Sequence, residues 1–156
     1  MTYHSVIINS IKSLLTIILI KLLKCLNLPS KIAVIMDGNR RYAKTANIKK
    51  IEGHKRGFDK LISLCEWCIN LNIKEIAAFT FSIDNFNRSK DEINDLMDLF
   101  KENFLNLEET HFFKKNDIKV EIIGNMNYLE YDLIEKFEKI KSRTLSHKRY
   151  ISYSNL

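Results

Sequence analysis

A chain of 156 residues that is 46% hydrophobic and 28% charged can bury one core, and with one Pro and four Gly it has no linker-like stretch to divide it. Its net charge of +6 points to anionic partners, phosphates or a membrane surface; no DNA- or RNA-binding signature accompanies the charge, so nucleic acid is not among the expected partners. Three cysteines make an odd count without a disulfide framework, which excludes a small secreted disulfide scaffold and fits a reducing compartment.

Residues 1–36 contain no Asp or Glu but carry Lys12, Lys21, Lys24 and Lys31. Residues 11–28 are strongly apolar, yet their uncharged core, residues 13–20, is too short to span a bilayer. A secretory signal would need a charged start and a small-residue cleavage site, and both are missing. The pattern predicts a helix lying on a membrane or in an apolar groove, with Lys snorkelling to headgroup phosphates. A single-span anchor is the alternative. Asn27-Leu-Pro-Ser30 ends the helix.

Residues 32–36, Ile-Ala-Val-Ile-Met, read as a short strand buried on both faces. The run breaks into Asp37-Gly38-Asn39-Arg40-Arg41. Asp37 is the first acidic residue of the chain. Gly38 permits a tight turn and close backbone approach to a ligand. A carboxylate, a glycine turn and two guanidinium groups suit a Mg²⁺–diphosphate pair: Asp for the hard cation, Arg for phosphate oxygens. The plain alternative is an Asp-Gly turn with solvated arginines.

Residues 42–52 are polar and basic, with the composition of a mobile loop. Gly53-His54 is expected to open a helix to about residue 71, with Phe58, Leu61, Ile62, Cys65, Cys68 and Ile69 on one face. That places His54 at a helix N-terminus, favourable for an anion, although such a His is more often a cap or a surface residue. Cys65 and Cys68 have redox spacing but fall deep within the helical pattern, so they read as core.

Residues 76–81 read as a second buried strand, followed by Ser82, Asp84, Asn85, Phe86 and Arg88. Ser89-Lys-Asp-Glu92 is a capping box opening a helix that carries Ile93, Leu96, Met97, Phe100 and Phe104. Residues 118–123 alternate as a third strand, ended by Gly124. Residues 129–145 are helical, and residues 150–153 begin a fourth strand, expected at the edge of the sheet. Strand–helix alternation implies an α/β fold with a parallel sheet flanked by helices. Ligands of such sheets bind beyond the strand carboxyl ends, so Asp37 and the segment from Ser82 to Arg88 should share one rim.

Three linked pieces give the sequence a family likeness: Met36-Asp-Gly-Asn-Arg-Arg-Tyr-Ala-Lys44, Glu52-Gly-His54 with Gly57-Phe58, and Phe81-Ser-Ile-Asp-Asn-Phe-Asn-Arg-Ser-Lys-Asp-Glu92 followed by Leu96-Met97, with Ile122-Ile-Gly124 a weaker fourth. In wording, spacing and order they resemble the cis-prenyltransferases, most closely the eukaryotic dehydrodolichyl diphosphate synthase branch, with bacterial undecaprenyl diphosphate synthases as close relatives. With residues 1–28 expected from their composition as a membrane-associated helix, the resemblance implies residues 29–156 as the N-terminal part of the catalytic domain. It implies a transferase that condenses isopentenyl diphosphate onto an allylic diphosphate, typically farnesyl diphosphate, with cis geometry. The product would be a long-chain polyprenyl diphosphate for dolichol synthesis at the cytoplasmic face of the endoplasmic reticulum membrane.

Carried over by position, Asp37 would bind Mg²⁺, while Gly38, Asn39 and Arg41, flanked by Arg40 and Tyr42, would hold phosphate oxygens. His54 would hydrogen-bond near the same diphosphate. Ser82 and Asn85 would assist proton removal, Phe86 would line the apolar side, and Arg88 and Glu92 would order their loop. Phe58, Cys65, Phe100 and Phe104 sit on the two helices that could line a tunnel. Lys50 stands where the family usually has Arg, keeping the charge but not the bidentate fork. Family chains continue past position 156, where the resemblance places a cationic clamp for isopentenyl diphosphate, a metal-binding Glu, further strands and much of a dimer interface. A homodimer, or a heterodimer with an accessory subunit, is therefore implied. A catalytically incomplete remnant that binds the allylic diphosphate or a partner is the alternative.

Overall fold

The computed structural model describes residues 3–109 and 111–155, and in it the alternating pattern becomes four strands and six helices. In order these are α1 (Tyr3–Lys24), β1 (Lys31–Ile35), α2 (Asn39–Thr45), α3 (Lys50–Asn70), β2 (Glu75–Phe81), α4 (Lys90–Glu109), α5 (Phe112–Lys115), β3 (Ile118–Gly124), α6 (Tyr131–Thr144) and β4 (Arg149–Asn155). Two 3-10 turns, Ile83–Asn87 and Met126–Tyr128, follow β2 and β3. The strands form one parallel sheet in the order β1-β2-β4-β3.

The core lies between the sheet and α3, α4 and α6. Leu61, Cys65 and Cys68 of α3, Phe104 of α4 and Leu133 of α6 are all 2% exposed or less. Cys65 and Cys68 are free thiols in that core, and burial pushes the Cys65 thiol up to about 12, so neither is poised as a thiolate. Phe104 packs edge-on against Phe137 and Tyr153, with ring centroids 4.9 and 5.0 Å away.

Several expectations change. β1 is an edge strand and is not buried on both faces. Ile32, Val34 and Met36 pack against the core, whereas Ala33 lies open and Ile35 is 76% exposed. An apolar run reports composition, but burial depends on whether a second layer covers the strand. β4 is internal rather than an edge: it pairs with β2 on one side and β3 on the other, and Ile151, Ser152 and Tyr153 are buried. The polar segment after Arg41 is no loop. It forms most of α2 and the start of α3, because a short helix needs only one apolar anchor, here the buried Ala43. Since α3 starts at Lys50, His54 sits in its second turn rather than at its opening.

From Ile11 onward the described side chains of α1 are largely open. Ile11, Leu14, Leu15, Ile17, Ile18, Leu19 and Leu22 are each 45–62% exposed, and Lys21 and Lys24 occupy its last turn. Among the described residues no helix is long and apolar enough to cross a membrane.

Candidate active site

The sheet ends abruptly at the rim where the site is built. β1 stops at Ile35, and the Met36 amide makes a last bond to the Phe79 carbonyl (2.9 Å). Asp37 is then the first residue past the sheet. Gly38 turns the chain with φ of 88°, a conformation that favours glycine, and α2 begins at Asn39. The Gly38 amide donates to Asp37 Oδ1, and Arg41 Nη2 donates to Asp37 Oδ2 at 2.9 Å. Both side chains of that pair are more than three-quarters exposed, so the pair is weak and its members are open to exchange for a ligand.

α2 is held against α3 by two glycines. A Cβ at Gly53 would lie 2.6 Å from the Asn39 carbonyl oxygen and 2.9 Å from Ala43 Cβ. One at Gly57 would lie 2.8 Å from Asn39 Cγ and overlap the side-chain amide. Two bare positions one turn apart let the first turn of α2 touch α3, and they fix where Asn39 points.

Glu92 gathers the rest. Its carboxylate is 7% exposed and meets Lys50 Nζ at 2.8 Å, Arg88 Nη1 at 3.4 Å and Arg40 Nη1 at 3.8 Å. The Ser89 hydroxyl accepts from the Glu92 amide (3.4 Å), so half of the predicted capping box forms. The other half does not, because the carboxylate is turned to the cations. Three cations to one carboxylate leave a surplus of positive charge. Burial pushes the Arg88 guanidinium down, and the charge of Arg40 adds to this. Burial alone would raise Glu92, but the Lys50 hydrogen bond and the charges of Lys50, Arg88 and Arg40 carry it below the usual carboxylate range. An incoming anion relieves the surplus.

His54 completes this side. Its Nε2 is buried without a hydrogen-bond partner, and burial, then the charge of Arg88, lowers its affinity for a proton. Neutral at pH 7, it has a ring nitrogen available to a ligand. His54 and Asn39 also stand at the mouth of a narrow apolar cleft of about 40 Å³, lined by Met36, Phe58, Leu96 and Phe100 among others. Of the expected tunnel residues, Phe58 and Phe100 line this cleft, Phe104 lines with Phe100 another small apolar cleft of about 30 Å³, and Cys65 is packed into the core.

At the end of β2, Asn85 Nδ2 donates to Ser82 Oγ (2.9 Å), and the Ser82 amide donates to Asn85 Oδ1 (3.3 Å). The two side chains therefore hold each other across the 3-10 turn. Phe86 packs on Phe81 at 5.0 Å and Tyr128 at 5.5 Å between centroids. Tyr42 is placed differently: its hydroxyl accepts from Arg56 Nη1 (2.8 Å), and that guanidinium, 5.9 Å from its ring, is also bonded to Glu52 (3.2 Å). The sequence carried an i,i+4 signal for Glu52–Arg56 but none that joined either residue to Tyr42, or Tyr128 to Phe86.

Among the described residues no three His, Cys, Asp or Glu side chains are grouped to hold a metal. Asp37 is one exposed carboxylate beside arginines. That donor set fits Mg²⁺ arriving on phosphate oxygens, which needs only one or two protein carboxylates, and does not fit a standing metal cage.

Residues 35–154 match the prenyltransferase family described as "Putative undecaprenyl diphosphate synthase". The human dehydrodolichyl diphosphate synthase complex subunit DHDDS is 41% identical over 123 residues, covering 78% of this chain and 37% of its own length. The tritrans,polycis-undecaprenyl-diphosphate synthase (geranylgeranyl-diphosphate specific) of Thermococcus kodakarensis is 35% identical over 132 residues, with 85% and 50% covered. Among solved structures, lavandulyl diphosphate synthase from Lavandula x intermedia, in complex with dimethylallyl diphosphate, superposes with a TM-score of 0.74 at 26% identity, over 82% of this chain and 54% of that one. The chain thus spans well under two thirds of the length of these relatives.

Proposed function

The chain belongs to the cis-prenyltransferase (undecaprenyl diphosphate synthase) family of enzymes, and from that membership we propose that its rim binds farnesyl diphosphate for cis extension by isopentenyl diphosphate. The observation that carries the reading is the cationic surplus around Glu92, set beside Asp37 and the mouth of an apolar cleft. A charged head and a hydrocarbon tail are matched by adjoining surfaces.

In this reading Arg41 leaves Asp37 to fork onto phosphate oxygens, and Asn39, fixed against Gly57, donates beside it. Arg40 and Arg88 neutralise the charge that grows on the diphosphate as its C–O bond ionises. His54, as the Nε2–H tautomer, donates to a phosphate oxygen. The Ser82–Asn85 pair keeps a hydroxyl and an amide oriented where the condensed product sheds its proton. Phe86 walls that side from water. Mg²⁺, when bound with the diphosphate, lowers the cost of its departure, and Asp37 is the residue that would hold it.

The setting is proposed with it. The human relative is named as a subunit of a complex, which supports a partner subunit, or a second copy, for this chain as well. Dolichol synthesis at the endoplasmic reticulum is the corresponding process, and α1 is the membrane-facing element. Calorimetry with farnesyl diphosphate tests the core of the reading. Asp37→Ala should weaken Mg²⁺-dependent binding by about tenfold or more, the scale of one charge-assisted contact. Equal affinity in the variant with and without Mg²⁺ would overturn the role of Asp37. Incorporation of labelled isopentenyl diphosphate then reports condensation separately from binding.

A further inference from the structure

The opposite rim of the sheet, where β3 and β4 begin, carries a second cleft. It lies between the ends of α4 and α6 and the short α5, encloses about 320 Å³, and shares no lining residue with the rim of Asp37. Its volume is in the range of small-molecule sites. One side is apolar and built into the core: Leu107, Phe113 and Ile140 are 3–8% exposed. The other side is polar, formed by Lys114 and Arg143 with the imidazoles of His111 and His147. Among the described residues the lining has one carboxylate, Glu108, which is engaged by Arg143.

His147 is held in place for this task. Its Nδ1 lies 2.8 Å from the Ile118 carbonyl oxygen, so Nδ1 carries the proton and Nε2 is the nitrogen left for a ligand. The Thr144 hydroxyl, although in the lining, is already spent: it accepts from the Val120 amide (3.0 Å) and donates to the Ile140 carbonyl (2.9 Å). Recognition therefore falls to two imidazoles, an ammonium and a guanidinium around an apolar floor. Lys114 and Arg143 suit an anion with a short hydrocarbon tail, and His147 Nε2, an acceptor, takes a hydrogen bond from a P–OH of a singly ionised phosphate head.

We propose that this cleft binds an amphiphilic phosphate monoester, its head against Lys114, His147, His111 and Arg143 and its tail on Leu107, Phe113 and Ile140. The ligand is either a soluble alkyl phosphate or a lipid headgroup with its first methylenes, and the shared chemistry is a phosphate on an alkyl chain. The site is separate from the proposed diphosphate rim, and its occupancy does not depend on Asp37.

The test follows the imidazole resonances of His111 and His147 by NMR during titration with octyl phosphate, octanol and inorganic phosphate. Octyl phosphate should give saturable shifts at both rings, with octanol and inorganic phosphate each weaker by about tenfold or more. Lys114→Glu should weaken octyl phosphate by a similar factor without moving the thermal midpoint, and Lys114→Ala should weaken it less. Asp37→Ala should leave the titration unchanged. A parallel arm with phosphatidate vesicles separates the sources: line broadening confined to these rings and the Phe113 ring assigns a headgroup, and its absence assigns a soluble ligand. The proposal fails if octanol binds as well as octyl phosphate, if Lys114→Glu binds as well as the parent, or if Asp37→Ala abolishes the shifts.

Discussion

Glu92 and His54 lie side by side in the same cationic cluster, yet their protonation matters in different pH ranges. Burial and the charges of Arg88, Arg40 and Lys50 set the folded-state pKa of His54 below the ordinary imidazole value of 6.5. As pH falls from that value, the unfolded chain takes up a proton that the folded chain resists, so stability rises with pH across the window. The denaturant midpoint should therefore drop from about pH 7 to about pH 5, and His54→Gln should flatten that slope. An unchanged slope in the variant would place the titration elsewhere. Glu92, whose folded value lies below its ordinary 4.5, holds its stabilising charge above that value and loses it only in more acidic solution. The two contributions are thus separable in one pH series.

At the scale of the element, the α2–α3 contact joins structure to ligand binding. A methyl at Gly53 meets backbone, which cannot yield cheaply, so Gly53→Ala should destabilise by about 1–3 kcal/mol. A methyl at Gly57 meets only the Asn39 side chain, which can rotate away. Gly57→Ala should therefore cost less stability than Gly53→Ala but weaken farnesyl diphosphate binding. Paired urea denaturation and calorimetry would reveal the split, and equal losses in both readouts for both variants would contradict it. The strands, the helices after them and the shared rim were legible because hydrophobic period and strand-end chemistry are local signals. α2 was not, since a seven-residue helix with one buried residue leaves no periodicity. Nor was the place of β4, which depends on which strands meet across the sheet. The capping motif at Ser89 marked a true helix start, but burial and three cations captured the Glu92 carboxylate that the motif alone assigned to the backbone.

For the whole molecule, α1 is the element whose exposure has the largest consequence. Its apolar side chains from Ile11 to Leu22 lie largely open, with Lys21 and Lys24 in its last turn. Anionic liposomes should float the protein, and removal of residues 1–28 should release it; equal flotation of the shortened protein would remove α1 as the anchor. The sheet order has a consequence of a different kind, in time. During synthesis β3 emerges before β4, yet β4 is the strand that joins it to β2. Until residues 149–155 leave the ribosome, β1–β2 and β3 are separate pieces, each offering a bare flank to the same late guest. A nascent chain paused in that interval has a slot one strand wide in its middle, and any extended apolar peptide of matching length can fill it first. Folding of this domain is thus a race for the central slot, and a chaperone that shields that slot would speed native assembly more than one that shields the helices.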